Sequence, residues 1–385
     1  MFSKIDLTTL IEAAPDVAVS LYLPTQTLGR ETRQNPIMLK NLLAQAADAL
    51  AERDMTAREV EAFLAPAAAL VEDYDFWQHQ DHGLALFLSD AGMQIHKLPI
   101  PVPELAVTGA GFHIAPLLPL QEQDAPFMIL TMTAEAAKVW QATRFSLTAK
   151  EVADLPASIE SLDEEADYEG PLQSHGFGRP NTGGQSMPKT QVYGDSPEEW
   201  RKGRLVEFAR RAGLALAAYL ARHPQKVVVV ADAAVGGHVR NDVALTDLVA
   251  GFVEVNPATL SEDELLTTAS AVMQPLHDNA VGAALERFDA LLGRGDATGC
   301  IDPAALVSAA QDGRVDQLFL ARDAVLRGTL DPETKAVLVT DAEKTGTLDL
   351  LDKAAQMALG NGGVVWLVAQ DRLPEGTAMA AILRY

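Results

Sequence analysis

The order of apolar patterns along the chain predicts an α/β protein made of three consecutive α/β domains. Three observations carry that prediction. The 385 residues exceed what a single hydrophobic core usually organises. Short continuous apolar runs of strand length, such as Val227 to Val230, alternate with longer segments whose apolar residues recur at helical spacing. A proline cluster, Pro116 and Pro119, and a later helix-opening signal at Ser261 divide the chain into regions 1–122, 123–260 and 261–385.

A hydrophobic fraction of 48% with 22% charged residues is ordinary globular composition. The most apolar stretches, Lys226 to Ala231 and Gly213 to Ala221, are far shorter than the roughly 20 residues that span a bilayer, so no membrane segment is expected. The start, Met-Phe-Ser-Lys-Ile-Asp-Leu, has no secretory pattern, which implies a cytoplasmic protein. Cys300 is the single cysteine, excluding an internal disulfide and a thiolate zinc cluster; it reads as a small buried hydrophobe.

The net charge of −23 opposes general binding to phosphate backbones. The charge is uneven, however. From His175 to Arg211 there are seven Lys or Arg against four Asp or Glu, a balance of +3 in a chain otherwise at −26. Any RNA contact is therefore expected to be local, with a solvated helix face as the plainer reading of the same residues.

In the first region Val17 to Leu23 reads as a strand. Leu39, Leu42, Leu43, Ala46 and Leu50 then line one helix face. Gly83 to Leu88 and Met93 to Leu98 read as a strand pair turned at Ser89 to Gly92, and Pro99, Pro101 and Pro103 are expected to stop that sheet.

The second region opens with a hairpin, Phe127 to Met132 and Ala136 to Trp140. Glu151 to Gly170 contains eight acidic residues and no basic one, which implies an exposed stretch. Ser174 to Gly194 is rich in Gly, Pro, Asn, Ser and Thr with no apolar period, hence a loop. Ser196, Pro197 and Glu199 form a capping box that opens a helix with Leu205, Phe208, Ala209, Ala212, Leu216, Tyr219 and Leu220 on one face. Val227 to Val230 has the pattern of a strand buried on both faces. Gly236-Gly237-His238 lacks a full phosphate-binding fingerprint and reads as a turn, so no cofactor is expected.

In the third region, Ser261 and Glu264 form another capping box. Val315 to Leu320, Lys335 to Val339, Gly363 to Ala369 and Ala378 to Leu383 read as strands, interleaved with helices near Pro303 to Gln311 and Thr347 to Leu359. Asn361-Gly362-Gly363 reads as a helix C-terminal stop, and Trp77 and Trp140 as core residues.

The loop of the second region contains His175-Gly176-Phe177-Gly178-Arg179-Pro180-Asn181-Thr182-Gly183-Gly184-Gln185-Ser186, directly before a helix bearing Arg201, Lys202, Arg204, Arg210 and Arg211. This resembles the Gly-Gly-Gln-Ser loop on the central domain of archaeo-eukaryotic peptide chain release factors and their rescue relative Pelota. In the third region, Arg287-Phe288 through Cys300, the run Ala309 to Leu320 and the terminal Ala380 to Tyr385 are similar in order and spacing to the C-terminal domain of that superfamily. The resemblance covers about two thirds of the chain, with a first domain of unclear relation, as in bacterial members. It implies a central release-factor-like domain with a projecting loop, followed by a release-factor-like layered α/β domain.

It also implies that Gly183, Gly184 and Gln185 promote hydrolysis of the peptidyl-tRNA ester within the ribosomal catalytic centre. Adjacent glycines let a backbone approach its ligand closely. Gln185 has no titratable proton, so the resemblance assigns its backbone N–H to charge developing on the ester, a type of contact worth about 3 to 4 kcal/mol. RNA contacts are expected from Arg179, Lys189, Arg201, Lys202 and Arg204, and the implied partners are the ribosome and peptidyl-tRNA, with a translational GTPase left open. The family's stop-codon-reading Asn-Ile-Lys-Ser tetrapeptide is nowhere in the chain, so stop-independent rescue is the closer analogue. Two other readings stand beside it. Met187-Pro188-Lys189-Thr190 departs from releasing members and, with the acidity, fits a non-catalytic ribosome-binding protein. His79, His82 and His96 with Asp75 and Asp81 fit a stand-alone hydrolase or metal site, although such residues at a hairpin rim are also read as structurally paired, and no metal is assigned.

Overall fold

The computed structural model describes residues 4–26, 29–122, 126–162, 197–240, 245, 247–331, 336–340, 347–374 and 376–385. They divide into two compact units, residues 1–123 with 279–385 (unit 1) and residues 124–278 (unit 2).

The first part of unit 1 runs α1 (Lys4–Ala13), β1 (Ala18–Pro24), α2 (Asn35–Ala51), α3 (Ala57–Ala69), α4 (Tyr74–Gln78), β2 (Gly83–Ser89), β3 (Gly92–Leu98), β4 (Leu105–Gly109) and α5 (Leu118–Glu122). The strands form an antiparallel sheet in the order β3-β2-β1-β4. Leu39, Leu42, Leu43, Ala46 and Leu50 of α2 are buried in one core with Val19, Leu21 and Leu23 of β1 and with Trp77. Ser89 pairs with Gly92, leaving Asp90 and Ala91 as the turn, and Gly92 adopts φ +122°, which favours glycine. The prolines after β3 do end that pairing, but the chain then returns as β4 on the far side of β1, Ala18 opposite Gly109. With Ala and Gly among its five residues, Leu105–Gly109 has little strand pattern of its own, and only its distant partner makes it a strand.

Unit 2 contains β5 (Phe127–Met132), β6 (Ala137–Ala142), β7 (Leu147–Lys150), α6 (Pro197–Arg222), β8 (Val227–Ala231), α7 (Ala233–Arg240), β9 (Val249–Glu254) and residues up to 278 of α8 (Glu262–Gly293). Its sheet has the order β7-β6-β5-β8-β9; β5, β8 and β9 are parallel, β6 and β7 antiparallel. β8 is buried on both faces. Val227, Val229 and Ala231 pack with Phe208, Ala209, Ala212, Leu216 and Leu220 of α6, while Val228 and Val230 pack with Leu265 and Ala269 of α8. The Gly236-Gly237-His238 segment is not a turn but part of α7, because Asp232 accepts the Val235 N–H at 3.0 Å and caps a helix directly after β8. α8 opens as read: the Glu264 carboxylate accepts the Ser261 N–H at 2.9 Å, and the Ser261 hydroxyl accepts the Glu264 N–H at 3.3 Å.

The second part of unit 1 contributes β10 (Gly299–Cys300), α9 (Pro303–Gln311), β11 (Val315–Ala321), β12 (Arg327–Leu330), β13 (Val337–Val339), β14 (Leu348–Asp349), α10 (Leu350–Gly360), β15 (Val364–Val368) and β16 (Met379–Leu383). One sheet has the order β10-β16-β11-β15, with β11 and β15 parallel, and a small antiparallel sheet has the order β13-β12-β14. The last turns of α8 bury Leu285 and Phe288 against Phe319, Ala380 and Ile382 of the larger sheet. α10 stops as its Asn-Gly-Gly sequence requires: Gly362 takes φ +73° and the Gly363 N–H returns to the Ala358 carbonyl at 2.7 Å.

The two parts of unit 1 are joined by a buried polar network on α10. Asp352, 3% exposed, accepts the Ile114 N–H at 2.8 Å and the Gln356 side-chain N–H at 2.6 Å, and lies 3.3 Å from His113 Nδ1. Gln356 also donates to the Phe112 carbonyl at 2.7 Å. From the other side, the Ser20 hydroxyl accepts the His113 N–H at 3.0 Å and the Tyr22 hydroxyl donates to the His113 carbonyl at 2.5 Å. Burial pushes the His113 imidazole down, but Asp352, by charge and hydrogen bond, holds it above the ordinary value of 6.5.

Two outcomes follow from this network. Asp352→Ala leaves buried donors and His113 without their acceptor and should lower unfolding free energy by about 3 to 5 kcal/mol in urea titrations. Because the folded pKa of His113 is raised, its contribution is full below the unfolded value and is lost as pH rises through the folded one. The wild-type urea midpoint should therefore fall upward of pH 6.5 by an increment that His113→Gln lacks.

Candidate functional site

Gly183, Gly184 and Gln185, together with Arg179, Lys189, Pro188 and Ser196, lie outside the described residues. The structure describes the chain on either side of them, up to Leu162 and from Pro197 onward. On the entering side, Ala136 bridges Ser158, and the Ile159 N–H donates to the Glu135 carbonyl at 2.9 Å. Leu162 is buried, and Leu155 and Ile159 pack against the same core that holds Phe208 and Leu216 of α6. The chain up to Leu162 is thus fastened to the sheet and to α6, and the residues described on either side of 163–196 share one hydrophobic core.

The basic residues of α6 do different things. Lys202 is exposed. Arg204 is half-buried and donates from Nη2 to the Ile159 carbonyl at 2.9 Å, so it holds the entering segment. Arg201 is on the first turns of the helix, its side chain outside the described residues. Arg210 and Arg211, three and four residues after Glu207, both turn back to its carboxylate. Arg210 Nε and Nη2 donate at 2.8 Å each, and Arg211 Nε at 3.0 Å. The hydrogen bond from Arg210, joined by Arg211, pulls the Glu207 carboxyl down to about 2, so the carboxylate is charged at any physiological pH. Two of the helix's positive charges therefore share one negative charge. This compensation was legible as Glu-x-x-Arg-Arg spacing, whereas nothing in the sequence pairs Arg204 with Ile159.

The histidines of the first region make separate local contacts. His79 Nδ1 is 3.1 Å from the Asp75 carbonyl, and the Lys97 ammonium donates to the His79 carbonyl. Asp81 Oδ1 accepts the His82 N–H at 2.9 Å. His96 packs edge-on against Phe87, and burial pushes its imidazole down. Among the described residues no group of three or more His, Cys, Asp or Glu is placed to hold a metal ion, and no helix is long and apolar enough to cross a membrane. Cys300 is half-buried, and burial pushes its thiol up, away from a reactive thiolate.

Comparison with known proteins adds a family likeness. Residues 126–314 match the model of bacterial archaeo-eukaryotic release factor family 3. No curated protein matches. Among solved structures, an archaeal translation termination factor, aRF1, is 16% identical and covers 100% of this chain and 99% of its own, with a TM-score of 0.23. Saccharomyces cerevisiae Dom34, a translation termination-like factor, is 12% identical over 79% of this chain and 73% of its own, with a TM-score of 0.37. Archaeoglobus fulgidus Pelota is 10% identical over 78% of this chain and 79% of its own, with a TM-score of 0.32. The matched span 126–314 contains the Gly-Gly-Gln segment and the helix that follows it, and over that span the chain is like the bacterial archaeo-eukaryotic release factors of family 3.

Proposed function

We propose that this protein acts on the ribosome and promotes release of peptide from peptidyl-tRNA through Gly183, Gly184 and Gln185, independently of a stop codon. The observation that carries the reading is the position of Gly-Gly-Gln-Ser within the family-matched span, on a segment whose flanks enter and leave one packed α/β unit. In this reading the chain works as three domains, 1–122, 123–260 and 261–385. The central one presents the loop, its backbone N–H groups stabilise charge on the ester carbonyl oxygen, and ribosomal RNA supplies the rest of the catalytic centre. Arg179, Lys189, Arg201 and Lys202 contact RNA, and Arg204 holds the loop's entry. A translational GTPase is the partner to test for delivery.

A second reading, a ribosome-binding protein without chemistry, is favoured by one specific observation. Glu207 offsets half of the charge of Arg210 and Arg211, which weakens the basic face of α6. The two readings separate in one assay. On ribosomes stalled with a sense codon, a stop codon or no codon in the acceptor site, the wild-type protein should release peptide at similar rates. Gly184→Ala should reduce release by at least about 100-fold, by analogy with losing an oxyanion donor, while leaving co-sedimentation with ribosomes intact. No release in any of the three would favour the second reading, and a strong stop-codon preference would assign a decoding role to residues 1–122.

The charge compensation gives its own test. Glu207→Gln removes the shared negative charge and should tighten ribosome binding, with a steeper fall of affinity as salt is raised, by about one counterion's worth. Unchanged affinity and salt dependence would place the RNA-contacting surface away from this part of α6.

A further inference from the structure

We propose that unit 1 carries a second site, which binds a small phosphate-bearing molecule in the cleft between the end of α2, the β4–His113 segment and the start of α10. The cleft is about 770 Å³, within the range of small-ligand sites. It takes cations from three separate stretches of chain, Arg53, Arg327 and Lys353.

Two of these cations rest on neutral acceptors. Arg53 Nη2 donates to the Thr108 carbonyl at 3.5 Å, a long contact, and Lys353 Nζ donates to the Ala110 carbonyl at 2.9 Å and to Gln356 Oε1 at 3.3 Å. Carbonyl and amide oxygens orient a guanidinium or an ammonium without cancelling its charge. Two of the nearby carboxylates also serve hydrogen bonds of the fold. Asp352 is held by Ile114, Gln356 and His113, and Asp349 caps α10, accepting the N–H groups of Leu351 at 3.0 Å and Leu326 at 3.3 Å. Glu52, the third acid of the lining, is exposed and makes an interaction of its own. Burial pushes the Lys353 ammonium down and the Asp352 charge offsets only part of that, so a further anion beside it would be favoured.

The spacing suits a phosphate. Thr108 and Ala110 are two residues apart, so their carbonyls lie about 7 Å apart along extended chain. Two long side chains anchored at that spacing can close on one tetrahedral oxyanion or a diphosphate. The Thr108 hydroxyl, on the same wall, is buried with no hydrogen-bond partner among the described residues and offers a further donor. Leu105, Val107 and Val325 add apolar lining for the body of the molecule. Gly111, at φ +76°, keeps the passage beside Lys353 open, since a Cβ there would stand 3.1 Å from Nζ.

Isothermal titration of the full chain with inorganic pyrophosphate, inorganic phosphate and a short single-stranded RNA tests the proposal. Pyrophosphate should bind, and Arg53→Gln and Lys353→Gln should each weaken it about tenfold or more. Arg58→Gln on α3 should change nothing. Lys353→Arg keeps the charge and should retain binding, and thermal midpoints will separate lost binding from lost folding. Absence of binding at millimolar pyrophosphate would overturn the proposal, as would equal affinity in wild type, Arg53→Gln and Lys353→Gln. Binding of the RNA without binding of pyrophosphate would also overturn it.

Discussion

The carboxylate of Asp352 is the constraint on which unit 1 depends. A buried anion is costly unless its lone pairs are met. Here they are met by a backbone N–H and side chains more than two hundred residues apart in sequence, Ile114 with His113 on one side and Gln356 on the other. Satisfying that one group fixes where the segment from Ala110 to Ile114 lies against α10. The same segment is held from below by Ser20 and Tyr22 of β1, so the first sheet and α10 are positioned through a few hydrogen bonds as well as through apolar packing. A polar lock of this kind specifies a register that apolar contacts alone would leave less well defined.

Unit 2 is organised by a different constraint, the burial of β8 on both faces. Five consecutive small apolar residues, all at 2% exposure or less, need cover above and below, and α6 and α8 supply it. α6 is therefore both a core element and the helix that follows the Gly-Gly-Gln segment. Its apolar face is committed to β8, which leaves Lys202 exposed and Arg204 facing the segment that ends at Leu162. Arg204 uses its charge on the Ile159 carbonyl, and Glu207 gathers two further arginines. In a chain of net charge −23, this leaves a restrained positive surface on α6.

Much of the fold was legible in the sequence because periodicity is a local property. The α2 stripe, the doubly buried β8, the Ser261–Glu264 box and the Asn-Gly-Gly stop each announce themselves within one element, and each stands where expected. The likeness to release factors was equally legible, since it rests on residue identity and order, and the family match over residues 126–314 agrees with it. What only the tertiary structure decided depends on partners far away in sequence. β4 is a strand because β1 is beside it, and the Gly236–His238 segment is helical because Asp232 caps it at the end of β8. His113 and Asp352 drew no attention as single residues, and their meaning comes from a distance of 3.3 Å that no sequence pattern encodes. The same is true of the cleft that gathers Arg53, Arg327 and Lys353: side chains from three stretches of chain share one space only after the sheets and α10 have packed.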